Sequence, residues 1–217
     1  MRLDRRGHAC VRLEQDGVVI VVDPGTWSDP RALDGADAVL VTHEHPDHFA
    51  ESVLRAAAGA DPALRIWANR SVADQLGGLG GGRVTVVGDG DAFDIAGIEV
   101  EVHGELHAEI HPDFPRVTNV GFRVGSPGAA VFHPGDAFTV PTSPVDTLLV
   151  PVHGPWSKTG EVVDYLREVK PRRVLPIHDG GLSEAGNELV DIMLQAGLGN
   201  LGADYRRVAA GAGTELT

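Results

Sequence analysis

The sequence is poor in cysteine and in basic residues, and each shortage excludes a class of protein. Its 217 residues include one cysteine, Cys10, so the chain can form neither an internal disulfide framework nor a cysteine-rich zinc module. Lysine and arginine together number 18 against 31 aspartates and glutamates, which gives a formal net charge of −13. Because an acidic surface is repelled by nucleic acid and by anionic membranes, we expect neither as a partner.

Long apolar segments are also missing. The longest aliphatic run, residues 18–22, is far shorter than the ~20 residues that a membrane-spanning helix needs. Residues 1–10 are charged and lack the apolar stretch of a signal peptide, so we expect a cytoplasmic protein. Glycine and proline are abundant, with 28 and 14 residues, as is typical of many short elements joined by tight turns. The length predicts one domain, spanning residues 1–217.

Short strands dominate the first two thirds of the predicted secondary structure. They cover residues 8–14, 18–22, 38–41, 64–67, 84–87, 92–95, 98–103, 117–124 and 129–132, with helices at 49–57 and 72–76. In the last third, strands 148–152, 174–177 and 204–209 alternate with helices 159–169 and 184–196. The second of these helices has Ser183 as its N-cap and one apolar face, formed by Leu189, Ile192, Met193 and Ala196. The mixture predicts two sheets with helices outside them.

The sequence contains ten histidines, and the most informative of them follow the buried strand 38–41. Residues 42–48 read THEHPDH, the pattern H-x-H-x-D-H. At a strand end, residues two apart can converge, so His43 and His45 can bind one metal ion while Asp47 and His48 point to a second. Imidazole with carboxylate suits zinc, with manganese or iron as alternatives. Two such ions ~3.5–4 Å apart can activate a hydroxide that attacks a carbonyl carbon or a phosphorus atom.

Other predicted strands also end in histidine or aspartate, and strand ends of layered α/β proteins share one edge. We therefore expect Asp136 and His178 to be metal ligands. Either His107 or His111 completes the set, and we favour His107. His103 alternates with acidic residues along its strand, which predicts a solvent-exposed side chain.

Three further histidines and the cysteine have other predicted places. His8, His133 and His153 are expected beside the ligands or facing the substrate, because a ligand histidine needs a partner for its other ring nitrogen. Cys10 lies among strand residues, which predicts a buried and unreactive thiol.

Taken in this order, the motifs resemble the metallo-β-lactamase superfamily across essentially the whole chain. The resemblance is to the branch that includes the ascorbate-phosphate lactonases and many metal-dependent hydrolases. The segments that carry it are GHAC at 7–10, HEHPDH at 43–48, GELHA at 104–108, NVGF at 119–122, HPGD at 133–136 and PIHD at 176–179. The resemblance implies a four-layer αββα sandwich, in which two mixed sheets have helices outside and a dinuclear site at one edge.

The resemblance also implies roles for individual residues. The first metal ion would be held by His43, His45 and His107. The second would be held by Asp47, His48 and His178, and Asp136 would bridge the two. A bridging hydroxide would be the nucleophile, and Asp47 would orient it. Independently of the resemblance, His8 and His133 are further catalytic candidates. The residue after His178 is Asp179, where relatives often have an aromatic residue that can contact substrate.

The predicted function is that of a dinuclear hydrolase acting on a small ester, lactone or phosphodiester, with two divalent ions, zinc being the first choice. Candidate contacts for an anionic substrate are Arg70, Arg116, Arg123 and Lys158. Two alternatives remain open: a mononuclear iron oxidoreductase of the thiol or persulfide dioxygenase type, and a non-catalytic metal-binding module. The expected partner is a small molecule. A homo-oligomer is left open, with Trp27, Trp67 and Trp156 as candidates for pocket, core or interface.

Overall fold

The computed structural model describes residues 1–216, whose strands form two seven-stranded sheets. The first sheet contains β1 (Arg2–Arg5), β2 (Val11–Gln15), β3 (Val18–Val22), β4 (Ala38–Val41), β5 (Arg65–Ala68), β6 (Val84–Val86) and β14 (Gly213–Glu215). The second contains β7 (Ala92–Ile95), β8 (Ile98–His103), β9 (Gly121–Val124), β10 (Val131–His133), β11 (Thr147–Pro151), β12 (Arg173–Ile177) and β13 (Asp204–Tyr205).

Both sheets are mixed. In the first, β14-β1-β2-β3 is antiparallel and β3-β4-β5-β6 is parallel. In the second, β7-β8-β9-β10 is antiparallel and β10-β11-β12-β13 is parallel. Parallel neighbours need crossover connections, which here contain the helices α1 (Glu51–Ala60), α2 (Arg70–Gln75), α3 (Thr159–Val169) and α4 (Glu184–Leu198). Short 3-10 helices cover Pro30–Leu33 and Gly199–Leu201.

Three apolar clusters join these elements into four layers. The central cluster lies between the sheets and includes Leu40 and Phe122. A second cluster packs α1 and α2 onto the outer face of the first sheet, through residues such as Leu54. A third packs α3 and α4 onto the second sheet, with Leu166 and Leu194 as members. The predicted αββα sandwich is therefore confirmed.

Local sequence signals account for much of this architecture. Asp16 and Gly17, with φ of 53° and 83°, close the β2–β3 hairpin in the doubly positive geometry of a type I′ turn. All four residues of β4 are buried, because this strand is covered by the second sheet on one face and by helices on the other. Among the described residues, none of the helices combines the length and apolar character needed to cross a membrane.

The apolar face predicted for α4 is exposed, and the predicted exposure of His103 is wrong. The face of α4 formed by Leu189, Ile192, Met193 and Ala196 points to solvent, while Leu194 and Leu198 pack against the sheet. His103 is only 7% exposed, because its ring packs edge-on against Phe132 with the ring centroids 5.7 Å apart.

Candidate metal centre

Eight side chains converge at one edge of the two sheets and form two adjacent groups. The first group consists of His43, His45, His107 and Asp136. The second group consists of His8, Asp47, His48 and His178. Within each group the ligand atoms lie within 4.8 Å of one another. The structure thus brings together all seven side chains predicted as metal ligands, with His8 as an eighth.

Strand ends place these side chains. The 43–48 segment follows β4 directly, Asp136 follows β10, His178 follows β12, and His107 lies four residues after β8. The turn after β4 rests on the backbone of Gly25, where a Cβ atom would lie 1.8 Å from the Asp47 carbonyl oxygen. Only glycine permits this close approach, which is reinforced by a 2.7 Å hydrogen bond from Thr26 N to Pro46 O.

A buried carboxylate, Asp23, orients the two histidines at the start and end of the motif. The His48 Nδ1–H donates to Asp23 Oδ2 over 2.7 Å. The Thr42 hydroxyl donates to the same oxygen over 2.7 Å and lies 2.9 Å from His43 Nδ1. Because that hydroxyl hydrogen is already used, Thr42 Oγ1 accepts from the His43 Nδ1–H. Both histidines therefore present the unprotonated Nε2 to the centre, as a metal ligand must.

His107 and His178 are oriented by backbone carbonyls. The His107 Nδ1–H donates to Ala108 O over 2.6 Å, and the His178 Nδ1–H donates to His153 O. Their Nε2 atoms consequently face inward. His111, the other candidate for the third ligand, is exposed and binds Asp113 instead.

Acceptor atoms face acceptor atoms in the middle of the centre. His48 Nε2 lies 3.0 Å from Asp136 Oδ1, while His178 Nε2 and His107 Nε2 lie 3.0 and 3.3 Å from Asp136 Oδ2. Among the described residues, none of these three nitrogens nor Oδ1 has a hydrogen-bond partner. Buried lone pairs that point at one another need positive charge between them, supplied either by a metal ion or by a proton on the imidazole. The residues therefore fit metal ions, and Asp136 contacts histidines of both groups.

The pKa shifts of these side chains also indicate that the centre favours positive charge. Burial would lower the pKa of His178, but the Asp136 carboxylate raises it to about 9. The pKa of His48 lies well above its usual value because Asp136 and Asp23 outweigh its burial. Burial would raise the pKa of Asp136, yet His48 and His178 hold it well below the usual range. Without metal ions, protons on the imidazoles would supply the missing charge.

His8 belongs to the second group by position but offers no lone pair to a metal ion. Its Nδ1 accepts a 3.0 Å hydrogen bond from the backbone N–H of Gly180, so the ring hydrogen is on Nε2. That Nε2–H donates to Asp47 Oδ2 over 3.1 Å. Burial lowers the pKa of His8, which favours this neutral form. His8 therefore orients Asp47, the role of a supporting residue.

Three residues of the centre have backbone conformations that L-amino acids seldom adopt. The φ angles of His8, Asp23 and His178 are 42°, 51° and 59°. Such left-handed geometry costs of order 1 kcal/mol or more per residue and concentrates at functional sites. Here it turns the chain sharply at the strand ends, so that the side chains point into the centre.

Several residues that the sequence suggested for the site lie elsewhere or are already engaged. His133 is buried, and its Nε2 donates to Ala9 O while its Nδ1 accepts from Gly135 N, so neither nitrogen is available for the predicted catalytic role. Arg123 is buried against Glu101 and is not available as an anion contact. Arg116 donates twice to His107 O.

The other predicted residues are at the surface or at the rim. Arg70 and Lys158 are exposed and pair with Asp74 and Glu161. His153 is exposed beside Gly181, so it lies at the rim near His178. Trp67 stacks on Phe93 away from the centre. Cys10 is fully buried, as predicted, and burial raises the pKa of its thiol to about 12, which disfavours the reactive thiolate.

Asp179 does not face a substrate. Its carboxylate is buried and pairs with Arg5 and Arg207, and Arg207 also pairs with Asp191 of α4. These ion pairs fasten the segment after His178 to β1 through the buried Arg5 and to α4 through the partly exposed Arg207 and Asp191. The two ion pairs of Asp179 give this acidic side chain a structural role at position 179.

Asp23 was not among the predicted site residues, and Trp156 was predicted only as a pocket, core or interface residue. Asp23 follows the buried strand β3 directly and precedes Pro24-Gly25, the same strand-then-polar pattern that identified the ligands, so a signal existed. Trp156 Nε1 lies 3.2 Å from Asp136 Oδ2. In the sequence, no pattern distinguishes this tryptophan from one in the core.

Sequence comparisons add a family to this geometry. The family model of the beta-lactamase superfamily domain matches residues 2–178. Protein Rv0786c of Mycobacterium tuberculosis is 39% identical over 181 residues, covering 82% of this chain and 84% of that protein. A UPF0173 metal-dependent hydrolase of Caldivirga maquilingensis is 28% identical and covers 79% of each chain.

Solved structures share the fold. The metallo hydrolase Igni18 of Ignicoccus hospitalis superposes with a TM-score of 0.76 at 18% identity, covering 100% of this chain and 99% of that one. CmlA, a diiron β-hydroxylase from Streptomyces venezuelae, superposes with a TM-score of 0.70 at 16% identity, covering 99% of this chain and 54% of that one. At these identities the likeness concerns the architecture.

Proposed function

This chain belongs to the metallo-β-lactamase superfamily of metal-dependent hydrolases, and we propose that it is a dinuclear member that hydrolyses a small ester, lactone or phosphodiester. The observation that carries the proposal is the opposition of buried lone pairs around Asp136. Two cations, one in each group, would satisfy them, whereas one cation would leave the other group's inward-facing nitrogens unpaired. The donor set of imidazoles and carboxylates suits zinc, with manganese or iron as alternatives.

Two divalent ions in such a site polarise a carbonyl or phosphoryl oxygen and supply hydroxide at neutral pH. The chain's own residues hold and orient the reacting groups. Asp47, fixed by the His8 Nε2–H, is the acceptor that orients the attacking water and holds its proton. Asp136 keeps the two groups at a fixed separation, and Asp23 and Thr42 keep His43 and His48 in the ligand tautomer.

A substrate would reach the centre from the side of Asp47 and His45. Asp47 has 23% of its side chain exposed and His45 is half-buried, whereas His43, His48, His107 and Asp136 are buried. Trp27 and His153 are exposed on the same side, near His8 and His178. The opening is thus a local rim on an acidic molecule, which favours a small-molecule substrate over a nucleic acid.

Counting bound metal is the direct test. The protein would be purified without added metal, and the metal per chain measured by inductively coupled plasma mass spectrometry. We expect about two zinc or manganese ions, and hydrolysis in a panel of esters, lactones and phosphodiesters that a chelator abolishes and zinc restores. About one iron per chain with oxygen consumption would favour the oxidoreductase alternative. Two tightly bound ions without turnover would favour the non-catalytic module.

A matched pair of variants separates the centre from the surface. His45→Ala removes a ligand from the first group and should abolish hydrolysis and lower the metal count. His111→Ala removes the exposed histidine of the same region and should change neither. Equal loss of activity in both variants would contradict the assignment of His45.

A further inference from the structure

Trp156 brings an indole N–H into the metal centre. Its Nε1 lies 3.2 Å from Asp136 Oδ2, the same oxygen that faces His107 and His178. The side chain is only 7% exposed, and its ring lies edge-on to the rings of both histidines, at centroid distances of 5.8 and 5.9 Å. The ring of Phe138 also lies edge-on to the indole, with the ring centroids 5.3 Å apart. The indole therefore touches ligands of both groups.

The local sequence makes room for this indole. Trp156 follows β11 after a short segment in which Gly154 packs directly against the ring. A Cβ atom at Gly154 would lie 2.6 Å from Trp156 Nε1. Any other residue at position 154 would therefore push the indole nitrogen away from Asp136.

We propose that Trp156 is a positioning residue, whose N–H holds Asp136 Oδ2 so that the carboxylate stays between the two metal positions. This inference rests on the proposed dinuclear site. Asp136 is held at a second point by its own backbone N–H, which donates to Asn119 Oδ1 over 3.0 Å. The hydrogen bond of its backbone positions Asp136 in the chain, whereas the hydrogen bond from the indole fixes the rotation of the Asp136 carboxylate.

An indole suits this task better than the other donors. Its N–H can donate but cannot accept, does not titrate, and cannot coordinate a metal ion. It therefore stabilises the carboxylate without competing for the cations. Partners of this kind typically account for about 10- to 100-fold in metal affinity. Because Asp136 contacts both groups, loss of the N–H should weaken both metal positions.

The first experiment compares Trp156→Phe with Trp67→Phe. The first variant keeps an aromatic ring but removes the N–H, and the second makes the same change where the indole stacks on Phe93 outside the centre. Zinc affinity would be measured by competition with a chromogenic chelator. We expect about 10- to 100-fold weaker binding for Trp156→Phe and wild-type affinity for Trp67→Phe. Wild-type affinity in both would overturn the proposal.

A second variant guards against loss of folding. Gly154→Ala keeps every side chain of the centre and displaces the indole nitrogen, so it should reduce zinc affinity in the same direction. Thermal unfolding of the metal-free proteins would establish that each variant folds. Should Gly154→Ala fold and bind zinc as tightly as the wild type, the indole bond would have no positioning role.

A spectroscopic readout distinguishes positioning from packing. In the Trp27→Phe/Trp67→Phe double variant, Trp156 is the remaining tryptophan, and its emission should change as zinc is added and level off at two equivalents. In the cobalt-substituted protein, Trp156→Phe should alter the visible absorption bands, because the ligand geometry at Asp136 changes. Unchanged absorption bands in the cobalt protein, together with Trp156 emission that does not respond to zinc, would contradict the proposed role of Trp156.

Failure of this inference is separable from failure of the proposed function. If the wild-type protein binds no metal, the dinuclear hydrolase is wrong. If the wild type binds two ions and hydrolyses its substrate while Trp156→Phe matches it in affinity and spectra, only the role of Trp156 is wrong.

Discussion

Replacing Asp23 with asparagine tests how the centre is held together. Asp23 Oδ2 accepts from the Thr42 hydroxyl and from the His48 Nδ1–H, both over 2.7 Å, and Oδ1 accepts from Thr42 N over 2.8 Å. In Asp23→Asn the amide oxygen can keep the backbone bond. The amide nitrogen then takes the place of Oδ2. It is a hydrogen-bond donor, so it cannot accept from the Thr42 hydroxyl or from the His48 Nδ1–H.

Two responses are open to the variant protein, and they differ in magnitude. If nothing rearranges, two buried donors lose their acceptor, which costs roughly 2–6 kcal/mol of unfolding free energy at about 1–3 kcal/mol each. If His48 changes tautomer, its Nδ1 accepts from the new amide and its Nε2–H faces Asp136 Oδ1, 3.0 Å away. The second response restores hydrogen bonds, so we expect the metal-free variant to lose only about 1–2 kcal/mol.

The tautomer change has a larger effect on metal binding, because a protonated Nε2 cannot be a ligand. We expect zinc affinity at the second group to fall by at least about 10- to 100-fold, which corresponds to roughly 1.4–2.7 kcal/mol. The assays are zinc per chain in chelator-buffered zinc and urea unfolding in the presence of a chelator. Asp37→Asn is the matched control, since Asp37 Oδ2 accepts from Val19 N over 2.8 Å outside the centre. Wild-type zinc binding by Asp23→Asn would refute the reasoning.

Four further predictions follow from the same structure. Zinc affinity should rise with pH and level off above about 9, because at lower pH the metal must displace the proton that Asp136 holds on His178; chelator competition from pH 6 to 9.5 measures this, and a flat profile would contradict it. In the metal-free protein the sign is reversed, since the raised pKa of His178 stabilises the fold below its ordinary value of 6.5 and this stabilisation is lost as pH rises through about 9. Asp179→Asn should cost about 3–5 kcal/mol in urea unfolding, because it leaves Arg5 buried beside a neutral amide; a loss below about 1 kcal/mol would show that the pairing is dispensable. Ile192→Ser should change the unfolding free energy by no more than about 0.5 kcal/mol, because the side chain is 63% exposed, whereas a core position would cost about 2–5 kcal/mol.

The convergence of the candidate ligands could be predicted from the sequence because each of them follows a recognisable strand. Residues 43–48 follow a strand whose residues are all apolar, and Asp136 and His178 likewise follow buried strands, β10 and β12, of the other sheet. The ends of such buried strands lie at one edge of the sheets, and polar side chains that follow them are typical of a binding site. The alternation of short strands with helices likewise predicted the layered sandwich, because amphipathic elements bury one face against another.

Tertiary structure decided the questions in which the same residue types competed for one role. His107 and His111 lie in one loop, and only the packing of that loop turns His107 inward. Helix α4 has apolar residues on more than one side. The periodicity of the sequence shows which of them share a face but does not show which face packs against the sheet. In the structure Leu194 is buried and Ile192 is exposed. The hydrogen bonds of His8 to Asp47 and of Trp156 to Asp136 join residues 39 and 20 positions apart in the chain. At such separations a local sequence pattern does not show which side chains will meet.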